Sequence, residues 1–132
     1  MNPSCTLCAD DTADILYVDA AARVAFHDDW AVSGHAMVIA RQHVENLCDL
    51  DDLAGFMSVY ERTERALLEA TGCERAIVMK LGILTPHLHL HIYPFAATAT
   101  RAEVMAAIDG KTRVARDEAF VERVRAMLSV SS

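Results

Sequence analysis

The sequence predicts an α+β protein: an antiparallel sheet of five strands, one long helix between the third and fourth strands, and a C-terminal helical arm. Three observations carry this. Five β-rich runs and one long helix follow the order strand, strand, strand, helix, strand, strand, which is not the βαβ alternation of a doubly wound parallel sheet. The stretch "DLDDLAGFMSVYERTERALLEATG" spaces its apolar residues at a helical period. And "TPHLHLHIYP" alternates histidine with leucine or isoleucine, the period of a strand with two unlike faces.

In chain order, "ILYVD" and "RVAFHD", separated by "AAA", read as a hairpin. "GHAMVIARQHV" has an apolar strand core from Ala36 to Ala40. The long helix opens on acids, carries Leu53, Phe56, Met57, Tyr60, Leu67 and Leu68 as its apolar face, and ends at Gly72. "ERAIVMKLG" is the fourth strand and "HLHLHIYP" the fifth, with Pro86 and Pro94 opposing a helix there. A Thr/Ala loop follows, then a short helix "RAEVMAAID" capped by Thr100 and an amphipathic helix "DEAFVERVRAML". The helices are expected on one side of the sheet. With no linker or internal repeat, residues 1–132 read as a single domain, with 95–132 a C-terminal helical extension.

Composition narrows the function. A 132-residue chain that is 53% hydrophobic has material for a core but a high surface-to-volume ratio, so oligomerisation is expected. Twelve basic against nineteen acidic residues, net charge −7, argues against a nucleic acid polymer or an anionic membrane as partner. A small phosphorylated ligand needs only local donors and stays open. "MNPSCTLCADDTAD" lacks the basic start and apolar run of a secretory signal, so a cytoplasmic protein is expected. Residues 81–100 are uncharged and long enough to span a bilayer, but their prolines, histidines and threonines exclude a spanning helix. Four cysteines in such a chain favour thiols or metal ligands over disulfides.

On a strand, His87, His89 and His91 share one face, spaced roughly 6.5–7 Å apart at about 3.3 Å rise per residue. Three readings stand at this point: catalysis, a divalent metal held by histidines two apart, and a structural role.

His35 in "SGHAMVIA", His43 in "ARQHV" and the "HLHLHI" run together resemble the histidine-triad (HIT) superfamily, whose signature is His-φ-His-φ-His-φ-φ with φ apolar. The resemblance covers a core of roughly residues 5–94, and the "CxxC" of Cys5 and Cys8 recurs in many bacterial members. It implies a HIT-like fold and a homodimer whose five-stranded sheets pair across the two-fold. It also implies a nucleotide hydrolase or nucleotidyl transferase working at the α-phosphate through a covalent nucleotidyl-histidine.

Carried over residue by residue, the resemblance makes His89 the nucleophile, His91 the donor to phosphate oxygens and His35 the helper that orients the nucleophile. The chemistry is reasonable: an imidazole with an ordinary pKa of about 6.5 is largely neutral and nucleophilic at pH 7, and a protonated His91 would stabilise charge on the phosphoryl oxygens. The ribose-binding acid falls in "FHDDW", on Asp28 or Asp29, with Asp28 favoured; His27 reads as a loop histidine without a role.

Members with the cysteine pair complete a structural Zn²⁺ site with two histidines, here His43 and His87; the competing reading is two free thiols. Cys48 and Cys73 are expected to be buried small hydrophobes.

One segment departs from the family. In place of a Gly-Gln/Ser-rich loop the chain has "KLGILTPH", where Thr85 is the only hydroxyl and so the remaining candidate for a phosphate contact. Phosphoanhydride cleavage is therefore favoured over phosphoramidase activity, because an amine leaving group needs a proton. Two alternatives remain: a metallohydrolase in which His87, His89 and His91 bind a metal together, and a nucleotide-binding module without turnover.

Overall fold

The computed structural model describes residues 5–8 and 15–129, so the secretory-leader reading of the N-terminus falls largely outside it. In chain order the elements are a 3-10 turn at Thr6–Cys8, β1 (Ile15–Val18), β2 (Ala22–Phe26), β3 (Ala36–Ala40), a 3-10 turn at Leu47–Asp49, α1 (Leu53–Thr71), β4 (Arg75–Met79), β5 (His89–Phe95), α2 (Arg101–Ile108) and α3 (Glu118–Ser129). The strands form one sheet in the order β1-β2-β3-β5-β4, antiparallel throughout, as the element order predicts. None of the described helices is long and apolar enough to cross a membrane.

Local chemistry explains the boundaries. The β1–β2 turn closes on Asp19, whose carboxylate accepts the N–H groups of Ala21 (2.8 Å) and Ala22 (3.0 Å). Asp52 caps α1 by accepting from Gly55 N–H at 2.9 Å, and Gly72 ends it in the left-handed conformation, φ 74°. Thr100 and Glu103 form a reciprocal capping box on α2. β5 runs through Pro94, beyond the last β3 pair at Ile92, so only β4 flanks it there and a missing N–H is tolerated.

Register divides the sheet into two faces. Val24, Val38 and Leu90 align across β2, β3 and β5 and pack, with Ile92, against Phe56 and Leu67 of α1 and Val121, Val124 and Leu128 of α3. The other face carries the rows Arg23–Ile39–His89 and Ala25–Met37–His91. The α2 helix lies on this second side, where Ala107 packs with Tyr93, Ile77 and Met79. The helices are therefore not confined to one side, and α3 shares the main core with α1.

Two sequence expectations shift. The buried stripe of α1 is Phe56, Val59, Thr63, Ala66 and Leu67, whereas Leu53 (45%) and Met57 (37%) are exposed. At 3.6 residues per turn, Met57 lies roughly a third of a turn from the centre of that stripe, so its angle outweighs its hydrophobicity. Thr63 enters the core because its hydroxyl donates to Val59 O at 2.7 Å. Cys48 is exposed and Cys73 half-buried, so neither is the buried small hydrophobe expected.

Candidate active site and metal centre

The pairing of β3 with β5 sets Ala36 opposite Ile92 and so brings His35, just before β3, beside His91. Gly34 makes the preceding turn possible. Its φ is 82°, and a Cβ there would lie 3.3 Å from both Phe120 Cζ and Thr71 Cγ2. His35 is 4% exposed, sandwiched between the rings of His27 (centroids 4.6 Å, nearly parallel) and Tyr93 (4.3 Å). Its Nε2 is 3.0 Å from His91 Nδ1. His35 Nδ1 lies 3.4 Å from the Ala31 N–H, and in the contact between the two rings one nitrogen donates and the other accepts.

Burial, reinforced by the neighbouring charges of His27 and His91, pushes His35 down to about 3. Burial, with His89 and His27, likewise pushes His91 down to about 4. Burial thus favours the neutral form of both rings at pH 7, so His91 offers a neutral N–H donor where a protonated one was expected. The sign of the linkage follows. Stability from these depressed pKa values is fully present above about 6.5, the unfolded value, and is lost as pH falls towards 4 and 3. His35→Asn is expected to remove about 1.4 kcal/mol per pH unit from the slope of unfolding free energy between pH 6 and 4, one proton's worth. Urea unfolding at several pH values measures it; an unchanged slope would show that His35 is not neutral in the folded chain.

His89 is fixed differently. Its Nδ1 lies 2.7 Å from the carbonyl oxygen of His87, an acceptor only, so Nδ1 carries the proton and Nε2 the lone pair. His87 has the opposite tautomer. Its Nε2 is 2.6 Å from Ala40 O and must donate, which leaves the lone pair on Nδ1. His87 precedes the ladder, its N–H turned back to Thr85 O at 2.8 Å, and its ring is buried. Histidines two apart on one face thus present different nitrogens to different surroundings.

His87 Nδ1 lies 3.4 Å from both Cys5 Sγ and Cys8 Sγ and 3.0 Å from His43 Nδ1, which is itself 3.0 Å from Cys8 Sγ. The four ligand atoms all fall within 4.8 Å of one another. Two sulfurs and two imidazole nitrogens at this spacing suit tetrahedral Zn²⁺, and the bond to Ala40 O is the outer-shell anchor that a ligating histidine needs. The donor set fits the metal. His87 turns its Nδ1 to the two cysteines, whereas His89 turns its Nδ1 to the His87 carbonyl oxygen, so the two rings do not converge on one point through the same nitrogen.

Beside this centre is a cavity of about 620 Å³, large enough for a nucleoside monophosphate. His27, Asp28, Thr85, His89 and His91 line it, as do Leu7, Met37 and the loop from Leu81 to Leu84. Of the two acids in "FHDDW", Asp28 borders the cavity, whereas Asp29 lies 3.6 Å from Arg113. A smaller cavity, about 210 Å³, also touches His89 and is lined by Lys80, Asn46 and Glu45. Sequence reasoning missed His27, Leu7 and Lys80. No period or spacing marks them, and the "AFHD" run was the one available hint for His27.

A family model, the HIT domain, matches residues 9–98. Among solved structures, a zinc-bound histidine triad family protein from Mycobacterium smegmatis superposes with a TM-score of 0.73 at 23% identity, covering 96% of this chain and 94% of that one. A hypothetical histidine triad nucleotide-binding protein from Sulfolobus tokodaii gives 0.67 at 18% identity, with 94% and 89% covered. A HIT family hydrolase from Clostridium thermocellum gives 0.62 at 16% identity, with 76% and 98% covered. At these identities the structures speak for the fold.

Proposed function

The chain belongs to the HIT domain family, and from that membership we propose that it cleaves nucleotides at the α-phosphate, with His89 as a covalent nucleophile. The observation that carries the reading is the bond from His89 Nδ1 to His87 O, which turns an Nε2 lone pair towards a nucleotide-sized cavity. In the first step Nε2 attacks phosphorus, an N–P bond forms, and the P–O bond to the leaving group breaks in line. In the second, water or another acceptor displaces His89 and releases the nucleoside monophosphate or its transfer product.

His91 Nε2–H donates to a non-bridging oxygen, and an arriving phosphate favours further protonation of that ring. His35 holds His91 through Nε2, Asp28 takes the ribose hydroxyls and Thr85 offers a hydroxyl to the phosphate. Zn²⁺ held by Cys5, Cys8, His43 and His87 would pin the N-terminal turn to the sheet. The same reading includes a homodimer, for which β4, an edge strand with Val78 42% exposed, offers unpaired backbone groups.

The leaving group is read as a phosphate of a phosphoanhydride. Thr85 is the one hydroxyl of the loop before His87, while Lys80 brings a cation to the cavity next to His89 that suits a multiply charged phosphate leaving group. Lys80→Met is expected to lower kcat/KM about tenfold for a dinucleoside polyphosphate, about 1.4 kcal/mol of transition-state stabilisation. For adenosine monophosphate p-nitrophenyl ester, whose leaving group has no phosphate, the change should stay within about twofold. An equal loss on both substrates would detach Lys80 from the leaving group.

The reading as a whole is tested by brief incubation with α-³²P-labelled ATP or diadenosine polyphosphate. A base-stable, acid-labile label should appear on His89 and be located by peptide mass spectrometry. Tight adenosine monophosphate binding with neither label nor product would instead identify a binding module.

A further inference from the structure

The segments that carry Cys5, Cys8 and His87 reach the nucleotide cavity and its nucleophile through two separate connections. The first is a wall. The Cys5–Cys8 turn, closed by Cys8 N–H on Cys5 O at 3.2 Å, puts Leu7 on the lining of the cavity that also holds His89 and His91. Arg23, 1% exposed on the histidine face of β2, fixes this turn by donating from Nη2 to Leu7 O at 2.8 Å. The second connection is an anchor. His87, through whose Nδ1 the centre would bind, accepts the His89 Nδ1–H on its own carbonyl oxygen. Backbone bonds bracket it: Ala40 N–H to Leu88 O at 3.0 Å and Leu88 N–H to Val44 O at 2.7 Å tie the His43 segment to the start of β5.

A metal joining Cys5, Cys8, His43 and His87 therefore clamps three segments, two of which touch the cavity or its nucleophile. We propose that metal binding at this centre and nucleotide binding at His89 are thermodynamically coupled, with Leu7 as the cavity contact through which the coupling acts. This rests on the nucleotide reading above. Such a linkage is reciprocal: whatever factor zinc gives to nucleotide affinity, nucleotide must give to zinc affinity.

The experiment uses the full chain with zinc and adenosine monophosphate as probes. Calorimetry of the zinc-loaded and chelator-stripped chain should show adenosine monophosphate bound at least about fivefold more weakly without zinc, and competition with a chromogenic chelator should show zinc held more tightly by the same factor when the nucleotide is saturating. Leu7→Ala keeps every ligand and is expected to retain one zinc per chain. Its adenosine monophosphate affinity should fall about three- to tenfold, with KM raised and kcat within twofold, the split expected of a contact made equally to substrate and transition state.

Equal nucleotide affinity with and without zinc in a folded chain overturns the coupling and leaves the nucleotide reading intact. If circular dichroism shows the stripped chain unfolded, the chelator competition in Leu7→Ala decides: nucleotide should tighten zinc less in this variant than in the wild type, and undiminished tightening overturns the proposal. Failure of the zinc-loaded wild type to bind adenosine monophosphate overturns both readings together.

Discussion

Replacing His89 with alanine is expected to lower turnover of a dinucleoside polyphosphate by at least about a thousandfold, the scale on which removing a covalent nucleophile acts. The physical ground is the orientation of one ring. A nucleophilic imidazole needs a lone pair on the nitrogen facing phosphorus, and the His87 carbonyl oxygen, 2.7 Å from Nδ1, keeps the proton on the other nitrogen. The other two histidines of the strand are engaged elsewhere. His91 Nδ1 is engaged by His35 at 3.0 Å, and the lone pair of His87 is turned to the cysteines. His89→Ala should lose the covalent label as well as turnover and still bind adenosine monophosphate, because Asp28, His91 and Leu7 remain around the cavity. Wild-type turnover in this variant would sink the covalent mechanism.

Removing the zinc proposed at Cys5, Cys8, His43 and His87 is expected to produce the second large effect, on stability. Cys8 is 5% exposed and His87 1% exposed, with Cys5 and His43 half-buried, so the centre is set into the edge of the fold. A ligand bound only by the folded chain, present at a few hundred times its Kd, contributes about 3 kcal/mol or more, and for a domain of this size that is roughly 10 °C in Tm. Chelation, or the Cys5→Ser/Cys8→Ser variant, should therefore lower the apparent Tm by about 10 °C or more, read by differential scanning calorimetry beside metal analysis. The decisive adverse result is a variant that keeps one zinc per chain, keeps its Tm and needs that zinc for turnover. The metal would then belong to the histidines of the strand.

Most of the fold was legible because its elements announce themselves locally. The two-residue period of "HLHLHI" marks a strand with a polar and an apolar face, and Leu88, Leu90 and Ile92 are indeed buried in the core. Asp52 and Gly72 mark the ends of α1, and Thr100 the start of α2. What failed locally was angle. Leu53 and Met57 are as apolar as the residues that pack, but the sheet and α3 decide which arc of the helix is covered. The two sides of the sheet were likewise decided by register, which sends α2 to the histidine side against Tyr93.

The candidate site divides in the same way. The sequence by itself determined which residues are available: a histidine row, a cysteine pair, His35 and His43 at the two ends of a strand, and a loop poor in hydroxyls. Only the tertiary structure decided how each is used. His87 and His89 are alike in sequence context but take opposite tautomers, because one ring nitrogen meets Ala40 O and the other the His87 carbonyl. His91 has an ordinary imidazole in sequence but a burial-depressed one in the fold, and the roleless His27 becomes the ring stacked on His35. The reason is physical. Backbone periodicity is local and is written in neighbouring residues, whereas desolvation, hydrogen-bond partners and metal geometry arise from groups brought together over 47, 56 and 82 residues of chain.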